Sequence, residues 1–306
     1  EARIDTAIPD KAPPKPDVRK MLVPLGPVVV FGASNFPYAY STAGGDTACA
    51  FAAGCPVIVK AHPAHPGTDE LVSQAIINAA KKTNMPDGVF SLVFSDEKTA
   101  IQLVKDTAVK AIGFTGSRKG GMAIFSAAVN REEPIPVYAE MSAVNPTILM
   151  PAAIAANATG IAQNFANSVT MGVGQFCTNP GLVFIIDDSN AKTFLNSLTE
   201  SIEKAAPATM LSKNICTAYT DGIEKLKSMA ALSAQSTLLA QSDKTEATPC
   251  IFTVTQKDFI ANKNLSHEVF GPVSLIVLCQ TVDEICEALQ NLEGQLTATV
   301  HASADD

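Results

Sequence analysis

Apolar and polar positions alternate in two distinct rhythms along this chain. GPVVVFG at 26–32 is a short β-branched run closed by glycine, which predicts a strand. DTACAFAAG at 46–54 is Ala-rich and ends in Gly, as a helix does, and CPVIVK at 55–60 predicts the next strand. TDELVSQAIINAAKKT at 68–83 carries apolar residues at helical spacing behind Thr68 as N-cap, with an acidic first turn. The alternation continues through VFSLVF (89–94), DEKTAIQLVKD (96–106), VKAIGFTG (109–116), SRKGGMAIFSAAVN (117–130) and PVYAEM (136–141). Strand, helix, strand, helix in that order predicts an α/β fold whose first domain is a doubly wound parallel sheet, with ligands expected at the strand ends.

Residues 1–25 are rich in proline and charge, which disfavours helix and predicts an extended arm. The first domain is expected over 26–145 and a second over 146–306. In the second, PTILMP (146–151), a helical region around 152–171, GLVFII (181–186) and AKTFLNSLTESIEKAA (191–206) repeat the α/β character. The stretch 230–265, rich in Ser, Thr, Gln and Lys, reads as looser. FGPVSLIVLC (270–279) and a helix at 281–292 follow.

With 306 residues, 47% of them hydrophobic and 17% charged, two packed cores fit this chain. It has no run of about 18 apolar residues, so no membrane span is expected. The net charge of −8 argues against a nucleic-acid partner, because binding the phosphate backbone calls for a basic face. Seven cysteines, with no C-x-x-C pair and no accompanying histidine spacing, disfavour both a metal site and a disulfide framework. A reducing, cytoplasmic setting is the expectation.

The candidate chemistry concentrates at a few positions. Cys177 in MGVGQFCTNPG sits between Gly172, Gly174, Gln175 and Thr178, a polar turn that suits a nucleophile, although a lone cysteine is also a common small core residue. Glu140 ends an apolar strand, where a carboxylate can serve as a general base or simply face solvent. Asn35 in GASNFP offers two amide hydrogens to an oxyanion, or satisfies its own loop. GFTGSRKGG at 113–121 is a strand-to-helix turn able to present N–H groups to a phosphate. Lys60, closing the strand VIVK, can pair with a phosphate or ribose or simply be solvated, and His62 and His65 lie in a proline-broken loop where they can touch a ligand but do not make a metal site.

In chain order, NFP at 35–37, VIVKAHPAHPGT at 57–68, GFTGS at 113–117, AEMSAVNP at 139–146, GQFCTNPG at 174–181 and HEVFGPV at 267–273 resemble the aldehyde dehydrogenase superfamily. The wording is most similar to a branch that oxidises the semialdehyde of α-ketoglutarate, with fatty-aldehyde enzymes as its relatives. The resemblance implies a cofactor domain and a second α/β catalytic domain. Cys177 would attack the aldehyde, Asn35 and the Cys177 N–H would hold the oxyanion, and Glu140 would activate the water that releases the acid. Lys60 and His62 are implied at the adenosine ribose, Gly116 and Ser117 near the pyrophosphate, and Glu268 with Phe270 around the nicotinamide. Pro63 stands where many NAD-using members carry a glutamate, so NADP is expected to be accepted at least as well as NAD. The resemblance further implies a chain shortened at both ends, an arm that begins the bridging strands, and a homodimer or homotetramer in the full-length form. A non-catalytic member that keeps the fold, and an enzyme that passes the acyl group to coenzyme A, are its competing readings.

Overall fold

A computed structural model describes residues 2–306. The chain divides into two compact units, the first ending at Met141 and the second running from Ser142 to Asp306. At the start of the first unit, β1 (Ala2–Asp5) and β2 (Val18–Met21) form an antiparallel ribbon whose Val18 and Met21 are exposed.

The rest of this unit is built from β3 (Val28–Phe31), α1 (Gly45–Ala52), β4 (Val57–Lys60), α2 (Pro66–Lys82), β5 (Phe90–Val93), α3 (Glu97–Lys105), β6 (Ala111–Thr115), α4 (Arg118–Val129) and β7 (Val137–Glu140). The strands form one parallel sheet in the order β5-β4-β3-β6-β7. Because successive side chains point to opposite faces, Val28 and Val30 of β3 pack with Ala50 of α1, while Val29 and Phe31 pack with Val104 of α3 and Ile124 of α4. A strand covered on both sides needs an unbroken apolar run, and VVVF supplies it. The chain winds outward from β3 through β4 to β5, then returns to β6 beside β3. That reversal puts the topological switch point between β3 and β6, where ligands of such sheets bind at the carboxyl ends of the strands.

In the second unit come β8 (Pro146–Leu149), α5 (Pro151–Thr170), β9 (Leu182–Ile186), α6 (Ser189–Lys204), β10 (Ala208–Thr209), α7 (Lys213–Lys227), β11 (Ala231–Gln235), β12 (Glu246–Ala247), β13 (Cys250–Thr255), α8 (Gln256–Ala261), β14 (Val273–Cys279), α9 (Val282–Gln290) and β15 (Thr299–His301). Six strands form a mixed sheet in the order β11-β13-β14-β9-β8-β15, with only the β11–β13 pair antiparallel. One face packs on α7, α8 and α9 through Phe184, Phe252 and Val277, the other on α5 and α6 through Val183, Ile185 and Ile276.

Two local expectations need correction, and one helix lies outside them. α2 starts at Pro66 behind His65, not at Thr68, because a proline in the first turn already has helical φ and needs no N–H partner. The stretch 230–265 is not loose: it holds β11, α8 and β13, which pairs with β11 and β14 and buries Cys250, Ile251, Phe252 and Val254. Finally, α7 lies where the sequence pattern was silent.

Candidate functional site

Cys177 belongs to the second unit, on the segment that follows α5. Gly172, Val173 and Gly174 have φ of 56°, 59° and 64°, three left-handed residues in succession that turn the chain sharply. Gln175 is buried and held at both ends of its amide: the NH2 donates to the Gly172 carbonyl at 3.1 Å and the oxygen accepts from the Leu211 N–H at 2.9 Å. Cys177 then sits in a turn closed by the Asn179 N–H on the Phe176 carbonyl at 3.0 Å. It is half-buried, unlike Cys250 and Cys279, whose thiols burial pushes up to about 11 and about 12. Those two are core residues in thiol form at neutral pH.

Glu268 and Phe270 precede β14 and line one cavity together with Gly174 and Asn179 from the cysteine segment. Burial raises the pKa of Glu268, against the opposing effect of hydrogen bonds from Ser142 and the Ala143 backbone. The Asn179 side-chain oxygen is buried without a hydrogen-bond partner. Glu268 and Phe270 thus meet the segment that carries Cys177 at one cavity, through Gly174 and Asn179.

In the first unit, Asn35 lies on the loop between β3 and α1. That loop folds back on itself: the Ala33 N–H donates to the Tyr40 carbonyl at 2.6 Å, and a Cβ on Gly32 would lie 2.5 Å from Ser41. Phe36 and Tyr40 meet edge to face at 5.6 Å. Asn35 is thus carried on a braced loop at the carboxyl end of β3.

Lys60 closes β4, half-buried, and His62 follows it. The His62 Nδ1 accepts from the Ala64 N–H at 3.1 Å, and its ring stacks on His65 with centroids 5.2 Å apart. Desolvation, His65 and Lys60 together lower the His62 pKa to about 4, and Asp69 opposes them. Beneath this turn lies Asp69, fully buried on α2. Its carboxylate accepts from the hydroxyls of Thr42 at 2.6 Å and Ser41 at 3.0 Å and from the His62 N–H at 2.7 Å, with the His65 Nδ1 3.2 Å away. The His65 Nε2 is 2.9 Å from the Ala33 carbonyl. One carboxylate thereby ties the Asn35 loop to the Lys60 and His62 turn. Nothing in the sequence singled it out, since an aspartate in a helix's first turn is usually a solvated partner of the helix dipole.

At the end of β6, the Gly116 N–H donates to the Glu140 carbonyl at 3.0 Å, so Gly116 itself spends its donor on the strand pair. What it offers is space: a Cβ there would lie 2.9 Å from the Phe114 ring. Ser117 is the N-cap of α4, its hydroxyl accepting from the Gly120 N–H at 3.3 Å. A capped helix start at the end of a parallel strand is the surface that phosphate groups use. Glu140 is the last residue of β7. Burial, and secondarily the Glu140 charge, raises the pKa of Asp46, whose carboxylate rests on Gly113. The two carboxylates repel each other from different elements, α1 and β7, a proximity the sequence does not reveal.

Set against known proteins, residues 5–306 match the profile of the aldehyde dehydrogenase family. The chain is 51% identical to alpha-ketoglutaric semialdehyde dehydrogenase 2 of Azospirillum brasilense and 43% identical to alpha-ketoglutaric semialdehyde dehydrogenase of Acinetobacter baylyi. Each match covers 100% of this chain and 58% of the relative, so the chain spans little more than half the length of these proteins. A crystal structure of an NAD-dependent benzaldehyde dehydrogenase from Corynebacterium glutamicum has the same fold, with a TM-score of 0.79 at 20% identity, covering 100% of this chain and 64% of that one.

Proposed function

The chain belongs to the aldehyde dehydrogenase family, and from that premise we propose that its protein oxidises a semialdehyde, that of α-ketoglutarate foremost, to the carboxylic acid with a nicotinamide cofactor. The observation that carries this reading is the Cys177 turn: a half-buried thiol on a braced segment whose neighbours, with Glu268 and Phe270, line one cavity. The relatives of 51% and 43% identity, both named for that semialdehyde, support the choice of substrate.

In this reading the Cys177 thiolate adds to the aldehyde carbon. The Asn35 amide and the Cys177 N–H donate to the oxygen as its charge develops. When bound, the nicotinamide cofactor supplies the hydride acceptor that makes the oxidation possible. Glu140 takes a proton from the water that cleaves the Cys177 thioester and frees the acid. The residues present fit the cofactor: the Ser117-capped start of α4 suits the pyrophosphate and Glu268 with Phe270 the nicotinamide end. Lys60 and His62 suit the adenosine ribose, and with no carboxylate at Pro63 to repel a 2′-phosphate, NADP is the favoured form. In the full-length form the family implies a homodimer or homotetramer.

The test is turnover of the semialdehyde by the intact protein. Wild type is expected to form reduced cofactor continuously, with NADP binding no more than about tenfold weaker than NAD. Glu140→Gln is expected to give a single burst and then slow by about 100-fold or more, because the acyl thioester forms but water is not activated. Activity that survives Cys177→Ala overturns the reading.

A further inference from the structure

Asn145 stands three residues into the second unit, and its side chain is 3% exposed. Its φ of 48° is left-handed, a conformation that asparagine accepts more readily than most residues. Every hydrogen-bonding position of its amide is filled. The two Nδ2 hydrogens go to backbone carbonyls of the cysteine turn, Cys177 at 2.8 Å and Asn179 at 2.9 Å. The Oδ1 accepts from the Thr297 N–H at 3.2 Å and from the Thr297 hydroxyl at 3.1 Å. The backbone around it is held too: the Gln295 Oε1 accepts from the N–H groups of Val144 and Asn145, at 2.7 and 3.2 Å, and the Gly181 N–H donates to the Val144 carbonyl at 3.0 Å.

We propose that Asn145 is the positioning residue of the nucleophile: by holding the carbonyls on both sides of Thr178 with one amide, it fixes the turn on which Cys177 presents its thiol. This rests on the reading of Cys177 as nucleophile given above. The physical reason lies in the geometry of the clamp. A buried carbonyl held by a donor cannot rotate without losing that bond, and two carbonyls held by one rigid planar amide leave the peptide planes between them a single arrangement. The segment before the turn is bent through three left-handed residues and needs such a restraint downstream. The other half of the amide is anchored on Thr297, so the clamp is not free to follow the turn if the turn shifts.

Asn145→Asp is the discriminating variant. It keeps the shape, tolerates the left-handed φ and can still accept from Thr297, but it sets a carboxylate oxygen against the carbonyls of Cys177 and Asn179. Thr297→Val removes a bond from the far side only. Both are compared with wild type in the intact protein by three measurements: the iodoacetamide alkylation rate of Cys177 across pH, followed by mass spectrometry, kcat and KM for the semialdehyde, and the thermal unfolding midpoint.

The expected result for Asn145→Asp is a Cys177 alkylation rate lowered at least about tenfold even at the high-pH plateau, where the introduced charge no longer changes the thiolate fraction, and a kcat at least about tenfold lower with KM within about threefold. Thr297→Val is expected to lower the unfolding midpoint while leaving the alkylation profile in place. If Asn145→Asp does not fold, Asn145→Gly, which keeps the φ and deletes the clamp, takes its place, with the kcat loss as its readout. An Asn145 variant that melts lower yet keeps the wild-type profile and kcat overturns the proposal. If Cys177 in wild type reacts no faster than Cys49 or Cys286, both exposed, it is the reading of Cys177 as nucleophile that falls, and the clamp proposal with it.

Discussion

A histidine whose pKa lies near 4 reports on its surroundings, and His62 has three reasons for that value: a partly desolvated ring, a second imidazole stacked on it, and Lys60 beside it. Asp69 pulls the other way and loses. At pH 7 His62 is therefore neutral, and its Nδ1 is an acceptor, as the bond from the Ala64 N–H requires. The consequence for stability has a definite sign. The folded pKa is below the ordinary 6.5, so the unfolded chain binds the proton first. The folding free energy is then full above about pH 6.5 and is lost progressively as pH falls towards about 4. His62→Asn, which keeps a small acceptor but no titrating ring, is expected to show a shallower decline over that window than wild type when urea unfolding is repeated at each pH. Carboxylates titrate equally in both proteins, so the difference between the two curves isolates the ring. Superimposable curves mean that His62 is not held neutral by the fold.

At the scale of elements, the bend between α5 and the cysteine turn depends on glycines for two different reasons. Gly174 has a φ of 64°, and a Cβ on it would collide with the Gly271 carbonyl oxygen, which is backbone and cannot swing aside. Gly174→Ala is expected to cost at least about 2 kcal/mol in chemical denaturation, since strain at positive φ and a backbone collision add together. A loss below about 0.5 kcal/mol would mean the bend has slack. The same bend illustrates what a sequence carries and what it hides. Short apolar runs such as Val28–Phe31 and helices with regular spacing could be read directly, because each owes its place to a local pattern. β13 escaped because its CIFTVT carries two threonines and lies within a stretch rich in Ser, Thr, Gln and Lys, which blurs the apolar run. α7 escaped because Tyr219, Ile223 and Leu226 are its only fully covered apolar positions among many polar ones. The roles proposed for Cys177, Glu140 and Asn35 come from ordered motifs, whereas Asp69 and Asn145 look ordinary in their own segments. Their importance is made by partners 27 to 28 and 32 to 34 residues away and, for Asn145, 152 residues away.

For the molecule as a whole, the four apolar clusters fall two into each unit: those around Val29 and Val57 belong to the first, those around Phe184 and Phe194 to the second. Each sheet is covered on both faces by helices of its own unit, so each has what a domain needs to be stable by itself. Asp69 offers a way to test this, because all four of its partners, Ser41, Thr42, His62 and His65, belong to the first unit. Asp69→Asn keeps the volume but turns half of the carboxylate into a donor facing donors. Unpaired polar groups of this kind, once buried, cost roughly 3 kcal/mol, which corresponds to about a 100-fold change in an opening equilibrium. Native-state hydrogen exchange is the measurement with enough spatial detail. The substitution is expected to speed exchange about 100-fold through the amides of β3, β4 and β6 and to leave β9, β13 and β14 within about threefold of wild type. Acceleration spread evenly over both sheets would show instead that the chain opens as one cooperative body, with the two cores melting together.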